Sequence, residues 1–154
     1  MRILLVCMGN ICRSPSAEGV VKHLLRNNKM DHEINVDSAG THAYHAGEPP
    51  DPRAQRAAQR RGIDLSRLRA RRIAQADFEE FDLILAMDRE NLEELHSACP
   101  ERHRHKIELF MRYARRFEAD EVPDPYYGGE KGFDVVLDMV EDAAQGLLET
   151  LRQR

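Results

Sequence analysis

Val6-Cys7-Met8-Gly9-Asn10-Ile11-Cys12-Arg13-Ser14-Pro15 follows directly on Arg2-Ile3-Leu4-Leu5 at the start of a 154-residue chain. Residues 2–6, apolar without a break from Ile3 to Val6, read as a parallel strand buried on both faces. Ser14-Pro15-Ser16-Ala17-Glu18 opens a helix, with Ser14 as expected cap and Pro15 at the first helical position. A thiol therefore sits where a strand ends and a helix begins. Helix N-termini and loops of convergent backbone N–H groups attract anions. Arg13 adds a planar fork that matches two oxygens of an oxyanion. The same positive field favours the thiolate form of Cys7. The stretch reads as an anion cradle with a nucleophile at its floor.

Working outward, strand-like runs fall at residues 2–6, 33–36, 83–86 and 106–110. Apolar stripes of helical period lie between and after them. These are Ala17, Val20, Val21, Leu24 and Leu25; Ala54, Ala57 and Ala58, ended by Gly62; Leu92 and Leu95; and Val136, Leu137, Val140, Ala144, Leu147, Leu148 and Leu151. Alternation of strand and helix predicts a single α/β domain over residues 1–154: a four-stranded parallel sheet with helices on both faces, a flavodoxin-like three-layer sandwich. Ligands of such sheets sit at the carboxyl ends of the strands, where Cys7 lies. Residues 41–52 and 122–132, rich in Gly and Pro, read as rim loops over the cradle.

Composition bounds the remaining classes. Hydrophobic residues make up 42% and charged residues 32%, as in a soluble globular chain. No apolar run reaches membrane-spanning length, so no membrane span is expected. Three cysteines with no secretory signal point to free thiols and a cytoplasmic location. A net charge of −4 argues against nucleic acid as a partner. The charge is segregated: Arg53, Arg56, Arg60, Arg61, Arg67, Arg69, Arg71 and Arg72 crowd one segment. Glu118, Asp120, Glu121, Asp124, Glu130, Asp134, Asp138, Glu141 and Asp142 crowd another. These read as two solvated faces, or else the arginines draw acidic substrates. The pairs His42/His45 and His103/His105 lack a partnering cysteine pair, so no metal is expected. Cys99, next to Pro100, reads as structural.

Cys7-Met-Gly-Asn-Ile-Cys-Arg-Ser14, with Asp124-Pro125-Tyr126-Tyr127-Gly128 far downstream, resembles the low-molecular-weight protein tyrosine phosphatase family. Asp37-Ser38-Ala39-Gly40-Thr41, Pro50-Asp51-Pro52-Arg53-Ala54 and Ala86-Met87-Asp88 extend the likeness along nearly the whole chain. The resemblance implies a cofactor-free hydrolysis of phosphotyrosine in proteins through a phosphocysteine on Cys7. Arg13 and the loop residues Met8, Gly9, Asn10, Ile11 and Cys12 would hold phosphate or other oxyanions, and Asp124 would serve as general acid and base. It further implies that Ser14 hydrogen-bonds the sulfur, that Ser38 supports Asn10, and that Tyr44 and Tyr126 wall the cleft. Tyr127 lies on the same rim loop. The family usually carries a histidine in support of Asn10 where this chain has Leu68; Arg67 or Arg69 is expected to substitute, or the support to be missing. Cys12, five residues after Cys7 in a tightly curled loop, is expected to act as a resolving thiol under oxidation. An arsenate reductase on the same fold needs a downstream cysteine pair, and only Cys99 follows the loop. A phosphate-sensing module would need neither Cys7 nor Asp124.

Overall fold

The computed structural model describes residues 1–125 and 129–153. Its centre is β1 (Arg2–Cys7), flanked by β2 (Asn35–Gly40) and β3 (Leu83–Ala86), with β4 (Ile107–Leu109) beyond β3. All pairings are parallel and the order is β2-β1-β3-β4. Neighbours of β1 thus lie on opposite sides, which puts the topological switch point at the carboxyl ends of β1 and β3.

The period-2 geometry of β1 explains its unbroken apolar run. Ile3, Leu5 and Cys7 face one core with α1 (Arg13–Asn27), α2 (Pro52–Gln59) and α5 (Glu130–Arg152). Leu4 and Val6 face the other core, with Phe78 of α3 (Gln75–Glu80), Phe81, and Leu95 of α4 (Arg89–Ala98). Ile3, Leu4, Leu5 and Val6 are fully buried. Each contributes roughly 1.5–3 kcal/mol of transfer free energy. The three-layer α/β sandwich therefore follows from a strand with two apolar faces.

Element boundaries depart from the sequence expectation where pairing outweighs hydrophobicity. β2 begins two residues later than expected and runs four further, through polar Asp37 and Ser38, because β1 pairs with it as far as Cys7 with Gly40. β4 is trimmed to three residues, α3 is added, and α5 starts inside the expected rim loop at Glu130. The first helix begins at Arg13, with Cys12 as N-cap and no side-chain cap bond, so Ser14 is not the cap and Pro15 is the third helical residue. Its missing N–H is still one of those a helix leaves unpaired at its start.

The two charged segments meet each other. Arg56 of α2 pairs with Glu130, and Arg60 and Arg61, just past the end of α2, pair with Asp134 and with Asp134, Asp138 and Glu141 of α5 respectively. Arg53 pairs with Asp51, and Arg71 with Asp37 and Asp77. Arg56 and Arg60 stay about half exposed while Arg53, Arg61 and Arg71 are partly buried, so the basic face is solvated as expected, and these five of its arginines are ion-paired as well. Exposed pairs of this kind contribute only about 0–1 kcal/mol each; here they orient α2, whose N-terminus borders the site.

Two positions on α5 tie it to the segment after β4. Gly146 has no room for a side chain, since a Cβ there would stand 1.8 Å from the Tyr113 carbonyl oxygen. Buried Asp142 accepts from the backbone N–H groups of Arg115, Arg116 and Phe117 at 2.9–3.1 Å. Burial opposes its charge, but those donors and the Arg116 charge prevail and its pKa falls below the ordinary value. A lowered folded-state pKa means stability that is present above the unfolded value, about 3.9, and is lost as pH falls below it. Asp142→Asn should therefore cost about 2 kcal/mol at neutral pH, roughly 4–8 °C in melting temperature, and the deficit should shrink towards pH 3. Thermal melts of both proteins across pH 3–7 (about four units) check this; a deficit independent of pH would assign the loss to packing.

Candidate active site

The loop from Cys7 to Arg13 is shaped by what holds its carbonyls. Cys7 O accepts from Thr41 N, Met8 O from His42 N, Ile11 O from Asp51 N and Cys12 O from Ser16 N, at 2.8–3.3 Å. Every peptide here is trans, so a carbonyl turned outward sends the following N–H inward. Met8, Gly9, Cys12 and Arg13 thus present their N–H groups to the inside of the loop. Asn10 turns the chain in the left-handed region, at φ 58°. Gly40 lets β2 pass close beneath: a Cβ there would stand 2.6 Å from Met8 O.

Cys7 Sγ sits at the focus. It accepts the Asn10 backbone N–H at 3.3 Å and shares a hydrogen bond with Ser14 Oγ at 3.0 Å. Behind it runs a buried polar chain. Asn10 Nδ2 donates to Ser14 Oγ at 2.8 Å and to Ser38 Oγ at 3.0 Å. Ser38 donates to Glu18 Oε1 at 2.6 Å, and Lys22 pairs with that same buried carboxylate. Asn10 Oδ1 accepts the backbone N–H of Arg71 at 3.0 Å. That contact answers the question raised by Leu68. The support comes from neither Arg67 nor Arg69 but from a main-chain amide, which leaves the Arg71 side chain to brace Asp37 and Asp77.

Arg13 is 3% exposed, and its guanidinium is pinned from behind. Nη1 donates to Asp88 Oδ2 at 2.6 Å and to Val122 O at 3.0 Å, while Nη2 lies 3.9 Å from Asp124 Oδ2. Burial works against its charge, but the Cys7 sulfur and the two carboxylates outweigh that and raise its pKa further. Asp88 also caps α4, accepting from Asn91 N at 2.7 Å. It was not singled out as a functional residue on sequence grounds, although it directly follows β3 and Met87, at the same carboxyl edge as Cys7. Cys12 is buried. Desolvation, with Asp51, Cys7 and Asp124 nearby, pushes its thiol far up and keeps it protonated. All three cysteines are unpaired.

Above the loop opens a cleft of about 320 Å³ lined by Cys7, Met8, Gly9, Ile11, Cys12, Arg13, Tyr44, His45 and Asp124. Apart from His45 these are residues expected from the sequence, and Asn10, Ser14 and Ser38 lie directly behind. His45, held by Glu48 at 2.9 Å, lines the cleft and was not anticipated as part of it. Tyr126 and Tyr127 lie outside the described residues.

A parallel sheet of this order, with a thiol-centred loop at its switch point, defines a flavodoxin-like α/β protein with a cysteine site. The comparisons narrow the class. The chain matches the family described as low molecular weight phosphotyrosine protein phosphatase over residues 2–154. A Synechocystis protein assigned to that family is 43% identical over 98% of this chain and 96% of its own length. The human low molecular weight phosphotyrosine protein phosphatase is 40% identical, covering 96% of this chain and 93% of its own. A crystal structure of the Entamoeba histolytica protein tyrosine phosphatase, with Hepes in its active site, superposes with a TM-score of 0.97 at 42% identity, covering 99% and 97% of the two chains. The chain belongs to the low-molecular-weight protein-tyrosine phosphatase family and is an enzyme of that kind. Among the described residues no helix is long and apolar enough to cross a membrane.

Proposed function

We propose that this enzyme hydrolyses phosphotyrosine in proteins, and small aryl phosphates, through a phosphocysteine on Cys7. The observation that carries the reading is the convergence on Cys7 Sγ: one backbone N–H, one hydroxyl, inward amides and a buried, pinned arginine. Phosphate oxygens bound by Arg13 and the N–H groups of Met8, Gly9, Cys12 and Arg13 place phosphorus over the sulfur. The thiolate attacks phosphorus while the bond to the aryl oxygen breaks. Asp124 gives its proton to that oxygen, so a phenol leaves rather than a phenoxide. Water then attacks phosphorus and returns a proton to Asp124. The S–P bond breaks, phosphate departs, and the Cys7 thiolate falls back on Ser14 and the Asn10 N–H. Arg13 and the amides stabilise the oxygens throughout, and they do so in the transition state because Asp88 and Val122 have already oriented the guanidinium. Tyr44 offers an aromatic wall beside the leaving ring. Phosphate release from a phosphotyrosine peptide, and its dependence on Cys7, is the decisive assay. Thiol-dependent arsenate reduction by the same preparation would favour the arsenate-reductase reading instead, against which the missing cysteine pair weighs.

Unpaired thiols suit a reducing, cytoplasmic compartment, and the same chemistry makes the site redox-sensitive. Peroxide converts the Cys7 thiolate to a sulfenic acid with release of hydroxide. The Cys12 thiol then displaces that oxygen as water and forms a Cys7–Cys12 disulfide, which an added dithiol reduces. Because Cys12 is held protonated, it is itself a poor target for peroxide and acts in the second step. Peroxide-inactivated enzyme should recover most of its activity on reduction. Cys12→Ser should be active when reduced but recover poorly, and bound phosphate should protect. Mass spectrometry reads the link directly; recoverable activity without it would sink the idea.

A further inference from the structure

Tyr44 is 70% exposed on its loop, yet one ring face is taken. His42 lies parallel to it, with ring centroids 5.1 Å apart and an interplanar angle of 5°. His42 in turn is hydrogen-bonded at one ring nitrogen and has a carboxylate near the other. Nδ1 shares a hydrogen bond with Thr41 Oγ1 at 2.8 Å, and Nε2 lies 3.8 Å from Glu94 Oε2 on α4. The backbone N–H groups of Thr41 and His42 also hold the carbonyls of Cys7 and Met8. One short segment therefore frames the cradle from outside and sets the aromatic ring above it. An exposed side chain must be ordered before it can press on a ligand, and ordering it in advance removes that cost from binding.

We propose that His42 is a positioning residue for aromatic selectivity: oriented by its hydrogen bond with Thr41, it stacks on Tyr44 and holds that ring in place at the cleft. The proposal rests on the aryl-phosphatase reading above. His42 does not touch the phosphate; it acts on the ring of the substrate through Tyr44. Its loss should therefore weaken binding of aromatic ligands only.

The test measures binding of phenylphosphonate and of inorganic phosphate by calorimetry, together with kcat and KM for an aryl phosphate. The proteins compared are wild type, His42→Ala, His42→Phe, Tyr44→Ala and the double variant His42→Ala/Tyr44→Ala. His42→Ala should weaken phenylphosphonate binding and raise KM by about 3–10-fold, the scale of one stacked pair. Phosphate affinity and kcat should stay within about twofold, the usual spread for a site left untouched. His42→Phe, which keeps a stacking face, should recover much of the loss. In the Tyr44→Ala background, His42→Ala should add nothing. Equal weakening of both ligands would overturn the proposal, because it would place the effect on the cradle. So would a full His42 effect without Tyr44. If wild type neither bound phenylphosphonate nor hydrolysed aryl phosphates, the proposed function would fail; if it did both and His42→Ala matched it, only the positioning role would fail.

Discussion

Cys7→Ser should abolish turnover, by on the order of 10⁴–10⁶-fold, while phosphate binding stays within a few-fold. The two effects separate because the site divides the labour. Attack on phosphorus requires an anionic nucleophile, and a serine hydroxyl is a far weaker acid than a thiol. Among the described residues the hydrogen-bond partners of Sγ are the Asn10 N–H and the Ser14 hydroxyl, neither of which is basic. In the proposed mechanism binding rests instead on the inward amides and on Arg13, which Asp88 and Val122 hold whether or not a sulfur is present. A serine oxygen can keep both hydrogen bonds of the sulfur, so the loop need not reorganise. Phosphate release from a phosphotyrosine peptide measures the first effect, and competition by inorganic phosphate measures the second. Substantial hydrolysis by the serine variant would rule out a phosphocysteine.

Asp124→Asn should lower the rate by about 10²–10⁴-fold for esters of poorly acidic phenols such as tyrosine, and far less for strongly acidic phenols that leave unaided. The carboxyl faces the cleft, with Oδ2 3.9 Å from Arg13 Nη2. Its loop is anchored two residues earlier, where Val122 N donates to Met87 O at 2.8 Å and Val122 O accepts from Arg13. An asparagine keeps that shape but has no proton to give. A series of substituted phenyl phosphates checks the point: log kcat/KM plotted against leaving-group pKa should steepen in the variant. An equal loss across the whole series would remove Asp124 from the role of acid.

Much of this was legible one residue at a time. Cys7, Gly9 and Arg13 could be placed because strand, loop and helix are local signals. The consecutive apolar residues of β1 announced a strand covered twice. The Asp124 loop was readable only through a resemblance, since nothing in its own composition distinguishes an acid from a turn residue. Leu68 shows the converse. A missing side chain looked like missing support, but a backbone amide performs the same hydrogen bonding, and amides carry no sequence signature.

What the chain determined by itself is thus the α/β class, the thiol-bearing loop and the existence of two rim loops, because hydrophobic period and local turn chemistry act over a few positions. Tertiary structure decided the rest. It extended β2 through polar Asp37 and Ser38, since a partner strand supplies hydrogen bonds that hydrophobicity does not report. It turned the basic and acidic segments towards each other across α2 and α5. It set Asp88 behind Arg13, and His42 against Tyr44 from a helix 52 positions downstream through Glu94. Apart from the His42–Tyr44 stack itself, each of these is a contact between groups far apart in sequence. Its free energy depends on distance and burial, and neither exists until the sheet has formed.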